Sequence, residues 1–225
     1  MNTSRKTAVI VGVLFIIGTV SGVLSAVITG PVLNEPDYLF TIAANETPII
    51  TGAFFVLLMG LSLAMIPVMM FPIFKKQNEA LALGAVVFRG PLEAATYILM
   101  VVSWLLLTVL SQEFVNAGAP ANSNFQVLGT VLLKANEMIN PVLEIVFSLG
   151  ALMFYTLFYQ TRLIPRWLSG WGLIGAIVYL AAGVMALFGT EIGFLLALLG
   201  VQEMVMALWL IFKGFNQPAN VAENS

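Results

Sequence analysis

The chain has 225 residues, of which 60% are apolar and 9% are charged, and its mean hydropathy is +1.00. Soluble domains carry about 25% charged residues, so this composition is typical of an integral membrane protein. The net charge of −2, without a basic block, argues against nucleic acid as a partner. The sequence has no Cys and no His. It therefore argues against disulfides, thiol or histidine catalysis and His-ligated haem, and we expect no metal site and no cofactor.

Six blocks of apolar residues, each long enough to cross a bilayer, predict an all-α bundle of six transmembrane helices in a single membrane domain. The first block is longer than the apolar core of a cleaved signal peptide, so we interpret it as a retained helix. A capping residue followed by proline marks two helix starts, Thr47-Pro48 and Asn140-Pro141. The predicted spans, in chain order, cover about residues 7–29, 48–74, 81–110, 140–161, 167–188 and 192–212.

Between and after the spans, the sequence predicts loops, one further helix and a tail. Residues 111–124 are rich in Asn, Ser and Ala, with one Gly and one Pro, and predict a loop. Residues 125–139, which carry Lys134, predict an amphipathic helix lying at the membrane interface before helix 4. A brief turn around Glu191 separates the last two spans, and the polar residues 213–225 predict a flexible tail.

Basic residues lie almost entirely on one side of the predicted membrane. Six spans place both termini on the same side, and seven of the nine Lys and Arg residues fall in segments on that side. The positive-inside rule therefore predicts that the N- and C-termini are cytoplasmic. Four aromatic residues near predicted helix ends fit the cytoplasmic aromatic belt. These four are Tyr155, Tyr159, Trp167 and Trp171.

The turn between predicted helices 4 and 5 carries a recognisable pattern. It consists of Arg162-Leu163-Ile164-Pro165-Arg166-Trp167-Leu168, followed by Gly172-Leu173-Ile174-Gly175. This pattern resembles the signature of a bacterial membrane family catalogued as a domain of unknown function, number 4386. Arg89 followed by Glu93 in helix 3 also resembles that family, and the likeness covers about residues 5–213. The resemblance implies six helices in a bacterial inner membrane and no established activity.

Two ionisable residues lie deep within predicted helix 3. Arg89 and Glu93 are four residues apart and so share a helix face, and charged groups at this depth mark a functional site by default. Pro91, between them, removes one backbone hydrogen bond. At a rise of about 1.5 Å per residue, Arg89 and Glu203 both lie roughly 15 Å from the cytoplasmic edge. These two side chains are therefore expected to meet near mid-membrane.

The acidic residues of the predicted spans outnumber the basic ones. Glu93, Glu144 and Glu203 against Arg89 leave a surplus of two carboxylates if all four groups are ionised. Burying an unpaired carboxylate costs several kcal/mol. We therefore hypothesise that at least one of these three Glu side chains is protonated or titrates with a ligand, and Glu203 is the leading candidate. Glu144 also fits an ordinary acid in the first turn of helix 4, which the helix dipole favours.

These residues predict a polar pocket between helices 3, 4 and 6 that binds a small amphiphile, lipid or solute. Arg89 would recognise an anionic or carbonyl group, and no catalytic residue is assigned. Two alternatives stay open: a membrane enzyme that uses Glu acid/base chemistry on a lipid or prenyl substrate, and a structural or assembly protein whose charges only lock helices together. The expected partners are membrane lipids and this ligand. The candidate ligand-binding residues are Arg89, Glu93, Tyr97, Glu144, Gln202 and Glu203.

Overall fold

The computed structural model describes residues 3–119, 124–190 and 197–216, which form helices and turns with no strand among them. The all-α prediction is confirmed for this part of the chain. A π-helical segment, Phe88–Leu92, joins α4 to α5 without a break. The helices are α1 (Thr3–Leu33), α2 (Tyr38–Ala44), α3 (Thr47–Phe74), α4 (Glu79–Val87), α5 (Glu93–Asn116), α6 (Asn124–Thr161), α7 (Arg166–Leu187) and α8 (Ala197–Phe212).

Five helical segments are long and apolar enough to cross a membrane, namely α1, α3, the continuous α4–α5 unit, α6 and α7. This pattern is that of a multi-pass membrane protein. The described part of α8 is apolar but has only 16 residues. The predicted sixth span begins at residue 192, and residues 191–196, including the predicted turn around Glu191, lie outside the described residues. The count of six spans therefore stays a prediction.

The predicted helix boundary at Asn140-Pro141 is wrong. The sequence predicted an interfacial helix over 125–139 and a separate span from 140, but one helix runs from Asn124 to Thr161 with Pro141 in its interior. Membrane helices tolerate an internal proline because neighbouring groups satisfy the freed backbone atoms. Asn136 Nδ2 donates to the Met100 carbonyl at 3.1 Å, so the first half of α6 packs along α5.

Other differences concern α2 and the segment after α5. The helix α5 continues to Asn116, so the loop predicted over 111–124 is shorter than expected, and residues 120–123 lie outside the described part. Helix α2 is not among the predicted elements, and its last turn is held on α5 by Gln112 Nε2, which donates to the Ala43 carbonyl at 3.2 Å. The predicted tail beyond residue 216 also lies outside the described residues.

The helices form a closed ring. Helix α1 packs against α3 and α8, and the ring continues from α3 to α5, α6, α7 and back to α8. Aromatic side chains fill part of its interior, with ring centroids 4.9 to 6.5 Å apart. These are Phe15 of α1, Phe74 of α3, and Phe154 and Phe158 of α6. A side chain that points into the ring is thus enclosed by protein on all sides.

The two chain ends described by the structure meet at one end of this ring. Arg5 of α1 donates to the carbonyls of Leu210, Ile211 and Phe212 at 3.2, 2.6 and 3.1 Å, and so satisfies the last turn of α8. Just beyond α8, Asn216 donates its backbone N–H to the Leu163 carbonyl at 2.8 Å. Helix α1, the end of α8 and the α6–α7 turn therefore share one end of the bundle.

Candidate functional site

Arg89 lies in the π-helical segment at Pro91. Pro91 has no N–H, and the backbone N–H of Glu93 bonds to the carbonyl of Phe88, five residues earlier. The wider turn places Arg89 and Gly90 on the inner side of the ring, where both are buried. Single π-helical turns within α-helices are frequent at functional sites. The proline that the sequence places between the two charged residues thus shapes the backbone that carries them.

Two carboxylates from different helices face the Arg89 guanidinium. Arg89 Nη1 donates to Glu203 Oε1 of α8 at 3.2 Å, and Arg89 Nε lies 3.5 Å from Glu93 Oε2. The structure brings these three side chains together, as the depth argument from the sequence anticipates. One guanidinium therefore faces two carboxyl groups in the interior of the ring.

Aromatic rings form the wall on the other side of the guanidinium. Arg89 Cζ lies 4.6 Å from the ring centroid of Phe147, 5.6 Å from that of Phe154 and 5.8 Å from that of Phe15. A cation over aromatic faces at these distances is attracted by the ring quadrupoles. Aromatic residues of α1 and α6 thereby stabilise the positive charge of Arg89, whose carboxylate partners are Glu203 on α8 and Glu93 on α5.

Tyr97, one turn after Glu93, extends this group toward α3. Its hydroxyl donates to Glu93 Oε1 at 3.3 Å, and its side chain is buried. Gly60 of α3 faces the Tyr97 ring so closely that a Cβ there would lie 3.0 Å from a ring carbon. The absence of a side chain at Gly60 therefore makes room for Tyr97.

Tyr155 belongs to the same group, and its assignment to the aromatic belt is wrong. It is fully buried, and its hydroxyl lies 2.8 Å from Gln202 Oε1 and 3.2 Å from Glu203 Oε1. Gln202 Nε2 donates to the Leu168 carbonyl of α7 at 3.0 Å, which fixes the orientation of the amide. Helix periodicity is the sequence signal for this position, because Tyr155 is eight residues after the buried Phe147 and so lies on the inner face of α6.

Glu144 lies one turn before Phe147 on α6. Its side chain is half-buried, and a Cβ added at Gly183 of α7 would lie 2.8 Å from Glu144 Cβ. Tyr179 of α7 is close by, with its ring centroid 5.0 Å from that of Phe147. Glu144 is thus placed at the contact between α6 and α7.

We call the group that the structure brings together the polar cluster. It unites five of the six candidate residues with Tyr155. Three of its buried polar atoms, Arg89 Nε, Arg89 Nη2 and Glu93 Oε2, have no hydrogen-bond partner among the described residues. Arg89 Nε and Glu93 Oε2 face each other at 3.5 Å as an ion pair, so the hydrogen-bonding capacity that is left over belongs to Arg89 Nη2. The members of the polar cluster are Arg89, Glu93, Tyr97, Tyr155, Gln202 and Glu203.

Comparison with known families gives one result. A family model described as a domain of unknown function, DUF4386, matches residues 10–214, which include the whole polar cluster. The chain belongs to the DUF4386 family. No curated protein and no solved structure matches it. The resemblance noted in the sequence is thereby confirmed.

The residues that carry this DUF4386 resemblance help to build the polar cluster. Pro165 precedes α7, and the carbonyl of Leu168 in its first turn accepts the hydrogen bond from Gln202. One turn later, a Cβ at Gly172 would lie 2.5 Å from the Tyr155 ring, so any larger residue at this position would clash with the ring. The signature turn therefore positions both neighbours of Glu203 in this DUF4386 chain.

Proposed function

We propose that this protein binds a small amphiphile or solute at the polar cluster, with the ligand's anionic or carbonyl head at Arg89. The observation that carries the proposal is the buried Arg89 Nη2 atom, which has no hydrogen-bond partner among the described residues. A guanidinium presents a planar set of donors that matches a carboxylate, phosphate or carbonyl oxygen. An acceptor from outside the chain would complete its hydrogen bonding.

The surroundings of Arg89 support a defined role for each neighbour. Glu93 is four residues away and would hold the guanidinium in orientation, while Tyr97 would donate a further hydrogen bond. Glu203 is 8% exposed, whereas Arg89 and Glu93 are 0% and 1% exposed. The ligand would therefore enter beside Glu203 and α8, where Glu203 would accept a proton or a ligand hydroxyl. The surrounding apolar helices suit the tail of an amphiphile.

We further propose that the chain spans a bacterial inner membrane six times with both termini in the cytoplasm. The clustering of Arg5, Arg162 and the end of α8 at one end of the ring supports this orientation, because cytoplasmic segments carry an excess of Lys and Arg. The apolar character of α8 supports its being the last part of a sixth span.

Native mass spectrometry with a matched pair of probes tests the binding site. The purified protein is titrated with palmitate and with hexadecanol, which share a tail and differ in the anionic head. We expect palmitate to bind more tightly than the alcohol, and Arg89→Lys to abolish this preference, because a lysine lacks the planar fork of donors. Lys134→Arg, at an exposed position on α6, is the control and should behave as wild type.

The outcome that contradicts the proposal is equal binding of both probes, together with no bound molecule after purification from several lipid extracts. That result would favour a second function, in which the polar cluster only locks α8 to the α4–α5 unit. The complete burial of Arg89 is the observation behind this alternative. Under it, Arg89→Lys would change thermal stability and leave all lipid binding unchanged.

A further inference from the structure

A groove lies on the outside of the ring between α1 and α3, near the basic end of the bundle. It has a volume of about 460 Å³ and is separate from the polar cluster, with no residue in common. Apolar side chains of α3 form one wall, and the first turns of α1 form the other. The lining residues are Thr3, Ser4, Thr7, Val68, Met69, Pro72, Ile73 and Lys76.

The groove occurs where the close packing of α1 against α3 ends. Further along these helices, glycines bring the backbones together: a Cβ at Gly18 would lie 2.7 Å from Leu63, and one at Gly22 would lie 2.7 Å from Met59. Ser25 Oγ also donates to the Gly52 carbonyl at 2.9 Å. The groove lies beyond these contacts, where neither residues 3–7 of α1 nor residues 67–74 of α3 include a glycine.

The chemistry of the groove changes along its length. Val68 and Pro72 are four residues apart and share a face of α3, and Lys76 lies in the turn just after the end of that helix. The part of the groove along α3 is therefore apolar, and its outer end carries a cation. The hydroxyl-bearing Thr3 and Ser4 lie at the start of α1, and none of the described residues that line the groove is acidic.

We propose that this groove binds one anionic phospholipid, with an acyl chain along the apolar wall and the phosphate at Lys76. A cation at a helix end attracts anionic headgroups at the membrane surface, and basic pockets between transmembrane helices recognise them. The hydroxyl groups of Thr3 and Ser4 supply hydrogen bonds to the phosphate oxygens. This inference needs the chain to lie in a membrane and does not depend on a ligand at Arg89.

Native mass spectrometry of the detergent-solubilised protein with phosphatidylglycerol and phosphatidylcholine tests the proposal. We expect the wild type to retain phosphatidylglycerol in preference, and Lys76→Gln to weaken this binding about fivefold. Lys75→Gln is the matched control, since it removes the same charge from the adjacent exposed position outside the groove. Arg89→Lys should leave phosphatidylglycerol binding unchanged, which separates this site from the polar cluster.

A second pair of variants tests the apolar wall. Val68→Trp fills the groove at a position that is 44% exposed, and we expect it to reduce phosphatidylglycerol binding as much as Lys76→Gln does. Leu61→Trp adds the same side chain to an exposed position of α3 outside the groove and should have no effect. Equal losses from Lys75→Gln and Lys76→Gln, or equal retention of both lipids by the wild type, would overturn the proposal.

Discussion

Arg89 Nη1 lies 3.2 Å from Glu203 Oε1, and this ion pair joins two helices across 114 positions of sequence. Neither side chain lies on the surface of the ring, so the pair holds α8 to the α4–α5 unit through the interior. A buried pair contributes little net stability when it is compared with apolar residues, but the loss of one partner leaves the other charge uncompensated. The interior of the protein is therefore sensitive to single substitutions at these positions.

Arg89→Ala should lower the free energy of unfolding by about 3 kcal/mol or more, because Glu93 and Glu203 then share the ring interior without a cation. Thermal or denaturant unfolding in detergent, followed by circular dichroism, measures the loss. Glu203→Gln added to Arg89→Ala should recover part of it, since one acidic group is removed. An Arg89→Ala protein as stable as a Lys134→Ala control would show that the pair does not hold the helices.

Substitution of two glycines of α7 should have effects of opposite sign. A Cβ at Gly172 would lie 2.5 Å from the fully buried Tyr155 ring, so Gly172→Ala should destabilise the protein by about 1–3 kcal/mol. At Gly170 nothing lies within 4 Å, and Gly170→Ala should stabilise the helix by up to about 1 kcal/mol. Unfolding of both variants side by side tests this. Equal effects would mean that Tyr155 is not packed against α7.

Tyr155→Phe should destabilise the protein by about 1–2 kcal/mol, because Gln202 Oε1 loses a buried hydrogen-bond donor. The matched control is Tyr159→Phe, one turn later on the same helix, where the side chain is 40% exposed. We expect this control to unfold like the wild type. A Tyr155→Phe protein with unchanged stability would remove Tyr155 from the polar cluster.

Infrared spectroscopy tests the hypothesis, drawn from the surplus of carboxyl groups, that one of the two acids beside Arg89 is protonated. At neutral pH the wild type should show the absorption of a protonated carboxyl group in an apolar environment, and either Glu93→Gln or Glu203→Gln should lack it. Glu137→Gln, at an exposed position of α6, should retain the band. A wild-type spectrum without a protonated carboxyl band would refute the hypothesis, and the surplus negative charge would then need a bound cation.

The proposed orientation is directly measurable because the chain contains no Cys, so a single engineered cysteine reports its own position. In intact bacteria, a membrane-impermeant maleimide should label Asn124→Cys at the start of α6. It should not label Gln77→Cys, in the turn between α3 and α4, until the cells are opened. Both positions are exposed on the protein surface. The reverse pattern would place the termini outside the cytoplasm.

The sequence predicts those features that depend on apolar length. Runs of apolar residues locate α1, α3, α7 and most of the α4–α5 unit, because a bilayer demands a minimum length from every span. The ion pair of Arg89 with Glu203 is also anticipated, since helix rise converts sequence position into depth and few positions at that depth are charged.

Features that depend on packing are not predicted. Proline after a capping residue favours a helix start, yet Pro141 lies inside α6. Before it, Asn136 holds the helix on α5, and after it, Gly150 packs against the π-helical segment at Arg89. Pro91 is a similar case, since its effect is a π-helical segment. The position of Tyr155 in the polar cluster depends on Gly172, which is close in space and remote in sequence.

The ion pair between Arg89 and Glu203 also imposes an order of events during synthesis. Translation runs from the N-terminus, so Arg89 enters the bilayer long before Glu203, 114 residues later, has been made. In that interval Glu93, four residues away, is the counterion that travels with it. The interval is longer for Arg5, whose carbonyl partner Leu210 on α8 is made 205 residues later. A nascent chain released before α8 would lack one wall of the ring and would expose an intramembrane cation to lipid.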